Sequence, residues 1–402
     1  MQETKSNNIS NVNFIFYLWT FFLLCRPQDL FPIFAPFRPA MITSGLALTT
    51  VIAYYKYLPG QLLFQSSQLR KFLLLYVVMI LGIPFSLYAR VSFEIVLTEY
   101  IVAVLFVCIF FKLINSIERL RNVLLTCCIG SGLYFFFALR EFAPGTGRLS
   151  YGTMFDPNDL AYFALGFLPI NLLFLFKPNP LWVRIACLCT FSFGLLLILF
   201  TGSRGGLLGL CLSFLVLLFF TFKTLKISFK AVLIVACVLL FSFTNIDTER
   251  YLSILSFESD YNVQDETGRL GIWNIGLRAL MSNPITGVGV GNFSFAVGLD
   301  RQQRGLEIAR WQNAHNSIVQ IGTETGFVGL ILYIALSLNA VRIFIRAMKY
   351  TINDQLTKVG EMGLVGFSGM FVASMFVSQA YSLYWVFYIG FTAVMGQIID
   401  DK

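Results

Sequence analysis

The run LWVRIACLCTFSFGLLLILF (181–200), followed at once by TGSRGG (201–206) and a second apolar run over 205–222, decides the class of this fold. Twenty residues of α-helix rise about 30 Å, the thickness of a bilayer's hydrocarbon core. The first run carries a single charge, Arg184, near its start. Two such runs joined by a short polar turn read as a pair of membrane-crossing helices.

The same pattern extends outward in both directions. Apolar runs at 13–25, 39–55, 71–88, 95–111, 122–140, 159–176, 228–245, 316–341, 362–380 and 382–399 bring the total to about twelve spans. Composition agrees: 57% of residues are hydrophobic, 12% are charged and the mean hydropathy is +0.75, against roughly 25% charged in soluble domains. The expected fold is an all-α polytopic membrane protein, one integral membrane domain over 1–402. A partly helical extracytoplasmic loop, 246–315, would join spans nine and ten. No internal repeat is evident.

A net charge of +8 does not signal nucleic acid, because the basic residues sit at the ends of apolar runs instead of forming a stripe or tail. With the N-terminus inside, every lysine falls on the cytoplasmic side: Lys5, Lys56, Lys71, Lys112, Lys177, Lys223, Lys226, Lys230, Lys349, Lys358 and Lys402. Both termini are then cytoplasmic. The opposite side carries Arg26, Arg38, Arg90, Arg140, Arg148, Arg204, Arg250, Arg269, Arg278, Arg301, Arg304 and Arg310, with no lysine. Arginine presents a planar, permanently charged fork that matches phosphate oxygens. The outer face therefore reads as anion-handling, against the simpler reading of charge balance and lipid-phosphate contact.

The first apolar run ends at Cys25-Arg26-Pro27 without a small-residue cleavage pattern, so a retained first helix is expected. The segment from Arg26 to Pro39 has four prolines and cannot be one helix. It reads either as a wall of a site or as an interfacial loop. The eight cysteines lie in or beside apolar runs and read as packing residues. No spacing of Cys and His points to a metal or a disulfide framework.

Four stretches carry candidate chemistry. In Thr201-Gly-Ser-Arg-Gly-Gly206, Ser203 or Thr201 caps the following helix, and its free N–H groups together with Arg204 make an anion site. The alternative is a turn whose arginine reaches the lipid interface. In Thr267-Gly-Arg-Leu-Gly-Ile-Trp273, Arg269 opens a short amphipathic helix running to Ser282, at the phosphate-favouring end. A surface charge paired with Asp265 or Glu266 is the alternative.

Gly287-Val-Gly-Val-Gly291 lacks the strand and Lys-Ser/Thr of a nucleotide loop and reads as a close-packed turn after Pro284. His315 is the sole histidine, with Asn316 beside it at the start of a span. Imidazole is the natural general base near neutral pH, although most lone histidines are structural. Gly322, Gly326 and Gly329 fall on roughly one helical face beneath it, allowing close helix contact. Glu324 is an ionisable group inside the apolar run. Ahead of the sixth span, Asp156 and Asp159 either orient sugars or, with Pro157, form an ordinary helix N-terminus.

In these stretches the chain resembles the O-antigen ligase and O-antigen polymerase superfamily of bacterial membrane glycosyltransferases. The matching signatures, in order, are TGSRGG at 201–206, Gly-Arg with Trp at 268–273, Asn-Pro then GVGVG at 283–291, and His-Asn with Gly-x-x-Gly at 315–329. The resemblance implies transfer of a glycan from a polyprenyl diphosphate to a hydroxyl of another glycan or of lipid A core. The reaction would take place at the outer face of the bacterial inner membrane, without metal or cofactor. It implies that Arg204 and Arg269 bind the diphosphate and that His315 activates the acceptor or meets the departing phosphate. Asn316, Gly326, Gly329, Ser203 and Asp156 would support them. The rival class is a transporter or flippase of lipid-linked glycans. Its sites usually lie at the bilayer midplane, whereas the charges here gather on one side.

Overall fold

The computed structural model describes residues 2–59, 61–143, 147–152, 156–175, 178–221, 265, 267–305, 311–350 and 354–401. The expected span at 228–245 and the 246–264 part of the expected loop lie outside them. In chain order the α-helices are α1 (Gln2–Leu24), α2 (Pro27–Leu30), α3 (Pro39–Tyr54), α4 (Ser67–Gly82), α5 (Ala89–Glu94), α6 (Tyr100–Leu113), α7 (Ile117–Glu141) and α8 (Pro157–Phe167). They continue with α9 (Leu181–Phe200), α10 (Arg204–Val216), α11 (Arg269–Ser282), α12 (Phe293–Gln303), α13 (Ser317–Tyr350), α14 (Asp354–Ser374) and α15 (Leu383–Asp400).

Among the described residues, six helical stretches are long and apolar enough to cross a membrane: Ser67–Phe85, Ala89–Leu113, Ile117–Glu141, Leu181–Phe200, Ser317–Lys349 and Leu383–Asp400. Each coincides with a run read from the sequence. Shorter apolar helices cover Asn11–Leu24 and Arg204–Phe220. The chain is thus an all-helical, multi-pass membrane protein among its described residues. The expected 159–176 span is built otherwise: it is α-helical only to Phe167, then continues as a 3-10 helix over Pro169–Phe174. Pro169 supplies no N–H to continue the α ladder.

The chain packs as two compact units, Met1–Leu58 with Ser116–Ile254 and Phe344–Ala373, and Pro59–Asn115 with Leu255–Ile343 and Ser374–Lys402. In the first unit α7 packs on α1 and α9 through small residues. A Cβ on Gly130 would strike Cys25, one on Gly132 would strike Thr190, and Gly194 sits against Phe135. Close backbone approach at such residues is how helices associate where lipid tails remove the hydrophobic drive.

The second unit centres on α15, whose Trp385 stacks on Tyr333 at 4.4 Å and donates its indole N–H to Ser337 Oγ at 3.2 Å. The buried Gln68 amide is satisfied by the Leu336 carbonyl at 3.2 Å and Thr392 Oγ1 at 3.1 Å. Such cross-helix bonds stabilise because an unsatisfied amide in a membrane core costs several kcal/mol.

The run expected as one continuous span at 316–341 is broken. Gly326 adopts φ 69° and ψ −172° inside α13, a region open to glycine almost alone. The 283–291 stretch enters this break. The Val288 N–H donates to the Thr323 carbonyl at 2.9 Å and the Gly289 N–H to the Glu324 carbonyl at 3.0 Å, while the Phe327 N–H donates to the Pro284 carbonyl at 2.8 Å. Backbone groups freed by the break are therefore satisfied by a second segment, as a low-dielectric setting demands.

Candidate active site

In the first unit the site residues are held at the turn between α9 and α10. Ser203 caps α10: its Oγ accepts the Gly206 N–H at 3.1 Å and donates to Asn158 Oδ1 at 3.0 Å. Arg148 donates from Nη2 to the same Asn158 oxygen at 2.8 Å and from Nε to the Thr201 carbonyl at 2.8 Å. Thr201 and Ser203 are buried, and Arg204, half-buried, occupies the first position of α10. A fixed cap with a guanidinium at the positive end of a helix dipole favours an anion.

Asp156 takes the plainer of its two readings. It caps α8, with Oδ1 accepting the N–H groups of Asn158 at 2.7 Å and Asp159 at 2.9 Å, while Pro157 starts the helix. Its carboxylate is a cap before it is anything else.

In the second unit Arg269 and His315 are drawn to one short strip, 376–378. The Arg269 guanidinium lies over the Phe376 ring, 5.9 Å from its centroid. The His315 backbone N–H donates to Ser378 Oγ at 2.8 Å. A small core of Ile272, Ile275, Phe293, Val297 and Ala314 joins α11, α12 and the segment before His315. Trp273 locks the arrangement by donating its indole N–H to the Ala314 carbonyl at 2.8 Å.

His315 has φ 46°, a left-handed backbone that few side chains adopt and that tends to mark functional positions. Asn316 then caps α13, its Oδ1 accepting from Ile318 N at 2.9 Å and Val319 N at 3.1 Å. Ser317 Oγ donates to the Val377 carbonyl at 3.0 Å and accepts the Gln379 N–H at 3.0 Å. The histidine is thus placed from both sides of the chain.

Gly326 and Gly329, read together as a close-contact face, separate here. Gly326 is the break itself, whereas Gly329 sits in the helix after it, where an added Cβ would meet the Thr325 side chain. Glu324, the ionisable group inside the apolar run, is a buried partner: 2% exposed, its Oε1 accepts the Phe293 N–H at 3.1 Å at the start of α12. Sequence reasoning missed Phe376, Ser378 and Gln379, which it assigned to a span ending at 380. The polar pair Ser378-Gln379 within an apolar run was the available signal.

Helices of membrane length, an arginine at the head of α10, and an arginine and histidine gathered on one strip define a multi-pass membrane protein with cationic and titratable residues at fixed places. Residues 189–334 match the family described as O-antigen ligase. The match supports placing this stretch in the O-antigen ligase and O-antigen polymerase superfamily. A comparison with curated proteins finds no match. The matched stretch contains Ser203, Arg204, Arg269, His315, Asn316, Gly326 and Gly329, and it supports a role in glycan transfer.

Proposed function

We propose that the protein transfers a glycan from a polyprenyl diphosphate to an acceptor hydroxyl, on a glycan or on lipid A core, at the outer face of the inner membrane. The observation that carries the reading is that Arg269 and His315, both inside the matched stretch, gather on the 376–378 strip that lies beyond it. The acceptor oxygen forms a bond to the anomeric carbon as the bond from that carbon to the diphosphate oxygen breaks. His315 takes the acceptor's proton, and the departing diphosphate keeps the electron pair. Arg204 and Arg269 stabilise the charge that grows on it. Fixed guanidinium groups do this without reorganising during the reaction, so neither metal nor cofactor is required.

The topology that goes with this reading has about twelve spans, both termini cytoplasmic and α11 and α12 outside. Reconstituted with a lipid-linked glycan and an acceptor, the protein is expected to form product at an unchanged rate in EDTA. A strict requirement for added Mg²⁺ would overturn the metal-free mechanism. A cysteine replacing the exposed Gln302 is expected to react with an impermeant maleimide added outside intact cells. Labelling only after the membrane is opened would invert the topology.

A further inference from the structure

The first unit holds a cavity of about 530 Å³ lined by Asp29, Glu141, Arg148, Ser150, Tyr151 and Gly152, among others, a size typical of small-ligand sites. It adjoins the turn that carries Arg204. Arg148 reaches from its wall to the Thr201 carbonyl, and the Leu149 N–H donates to the Phe200 carbonyl at 2.9 Å. Its other walls come from α2 and the end of α7, and none of its lining residues falls within 189–334.

The chemistry of the lining is selective. Two carboxylates face it against one guanidinium, and that guanidinium already serves the Thr201 carbonyl and Asn158. Asp29 is ion-paired with Arg26 at 2.6 Å, and Tyr151 Oη donates to Glu141 Oε1 at 3.4 Å, a long and replaceable bond. Asp29 and Glu141 offer a diphosphate only acceptor oxygens. Burial and the neighbouring Glu141 carboxylate raise the Tyr151 phenol above its ordinary range, so it stays a neutral donor and acceptor. Sugar hydroxyls both donate and accept. They form charge-assisted bonds with carboxylates, and tyrosine rings offer an apolar surface with a polar tip.

We propose that this cavity binds sugar rings of the glycan substrate through their hydroxyls, next to the turn that holds the diphosphate. The proposal rests on the transfer reading above for its ligand. It assigns glycan selectivity to Asp29, Glu141, Ser150 and Tyr151, while Arg204, Arg269 and His315 carry the chemistry.

The test uses full-length protein in lipid nanodiscs and a water-soluble repeat-unit oligosaccharide, released by mild acid from the host's own lipid-linked glycan, with binding followed by calorimetry. Glu141→Gln is expected to weaken oligosaccharide binding at least tenfold and Ser150→Trp, which fills the cavity, to abolish it. Affinity for inorganic pyrophosphate should be unchanged in both. Wild-type oligosaccharide affinity in both variants, with wild-type melting, overturns the proposal. Should those variants misfold, Tyr151→Phe decides at almost constant volume: a loss of threefold or more supports the site, and no change overturns it.

A parallel transfer assay separates this proposal from the one it rests on. If wild-type protein binds the oligosaccharide and Glu141→Gln loses it while no transfer occurs, the cavity stands and the transfer reading falls. If transfer proceeds and Glu141→Gln leaves the KM for the glycan donor and acceptor untouched, the cavity falls and the transfer reading stands. The supporting result is a KM raised about tenfold for one of them with kcat within twofold of wild type.

Discussion

Replacing Arg204 or Arg269 by alanine is expected to lower the rate of glycan transfer in proteoliposomes by about 10²–10³-fold, the usual loss when one fixed group stabilising a transition-state charge is removed. Both residues stand at the first position of a helix, α10 and α11, where alanine is readily accommodated, so membrane insertion and melting temperature should persist. Arg269→Lys keeps the charge but loses the planar fork and should recover only part of the rate. The corresponding test at His315 needs a variant that tolerates its backbone at φ 46°. Asparagine enters that region more readily than alanine. His315→Asn should therefore insert and melt like wild type while losing transfer by a factor on the order of 10²–10⁴, the usual worth of a positioned general base. Undiminished transfer from Arg204→Ala and His315→Asn together would sink the proposed chemistry.

The second large effect is expected at Gly326 and concerns stability instead of rate. An alanine there would have to hold φ 69° and ψ −172°, and its Cβ would fall on the Ile285 and Pro284 carbonyls. The unfavourable backbone alone costs about 1–3 kcal/mol. Displacing the Pro284 carbonyl also endangers its bond from the Phe327 N–H, worth about 1 kcal/mol more. Gly326→Ala should cut the yield of monodisperse protein in detergent and lower its melting temperature clearly. Gly322→Ala should do neither, because its Cβ would make only ordinary contact, 3.4 Å from Leu280 and Leu330. In a helix interior alanine is favoured over glycine by about 0.5–1 kcal/mol. Equal effects at the two positions would mean that α13 is not broken at Gly326.

That contrast shows where sequence reasoning stops. Gly322, Gly326 and Gly329 look alike on a helical wheel, since the wheel presumes a continuous helix. What breaks α13 at Gly326 is another segment, 283–291, whose N–H groups and carbonyls bond into the gap. Likewise the role of Asp156 was ambiguous until its oxygen could be followed to the Asn158 and Asp159 N–H groups. Ser378 was hidden inside an apolar run, and its importance lies in a bond to His315, 63 residues away in the chain.

The amino-acid sequence by itself determined that this is a helical membrane protein, because hydrophobic run length against bilayer thickness is a local property that needs no partner. It also singled out Arg204, Arg269 and His315, because charged and titratable groups are rare in so apolar a chain. Only the tertiary structure decided that Arg269 and His315 meet one strip, that the glycine-rich 283–291 stretch fills a broken helix, and that Glu324 is spent on the start of α12. Those outcomes depend on which distant backbone groups satisfy one another where water is scarce. Hydropathy along the chain carries no record of that pairing.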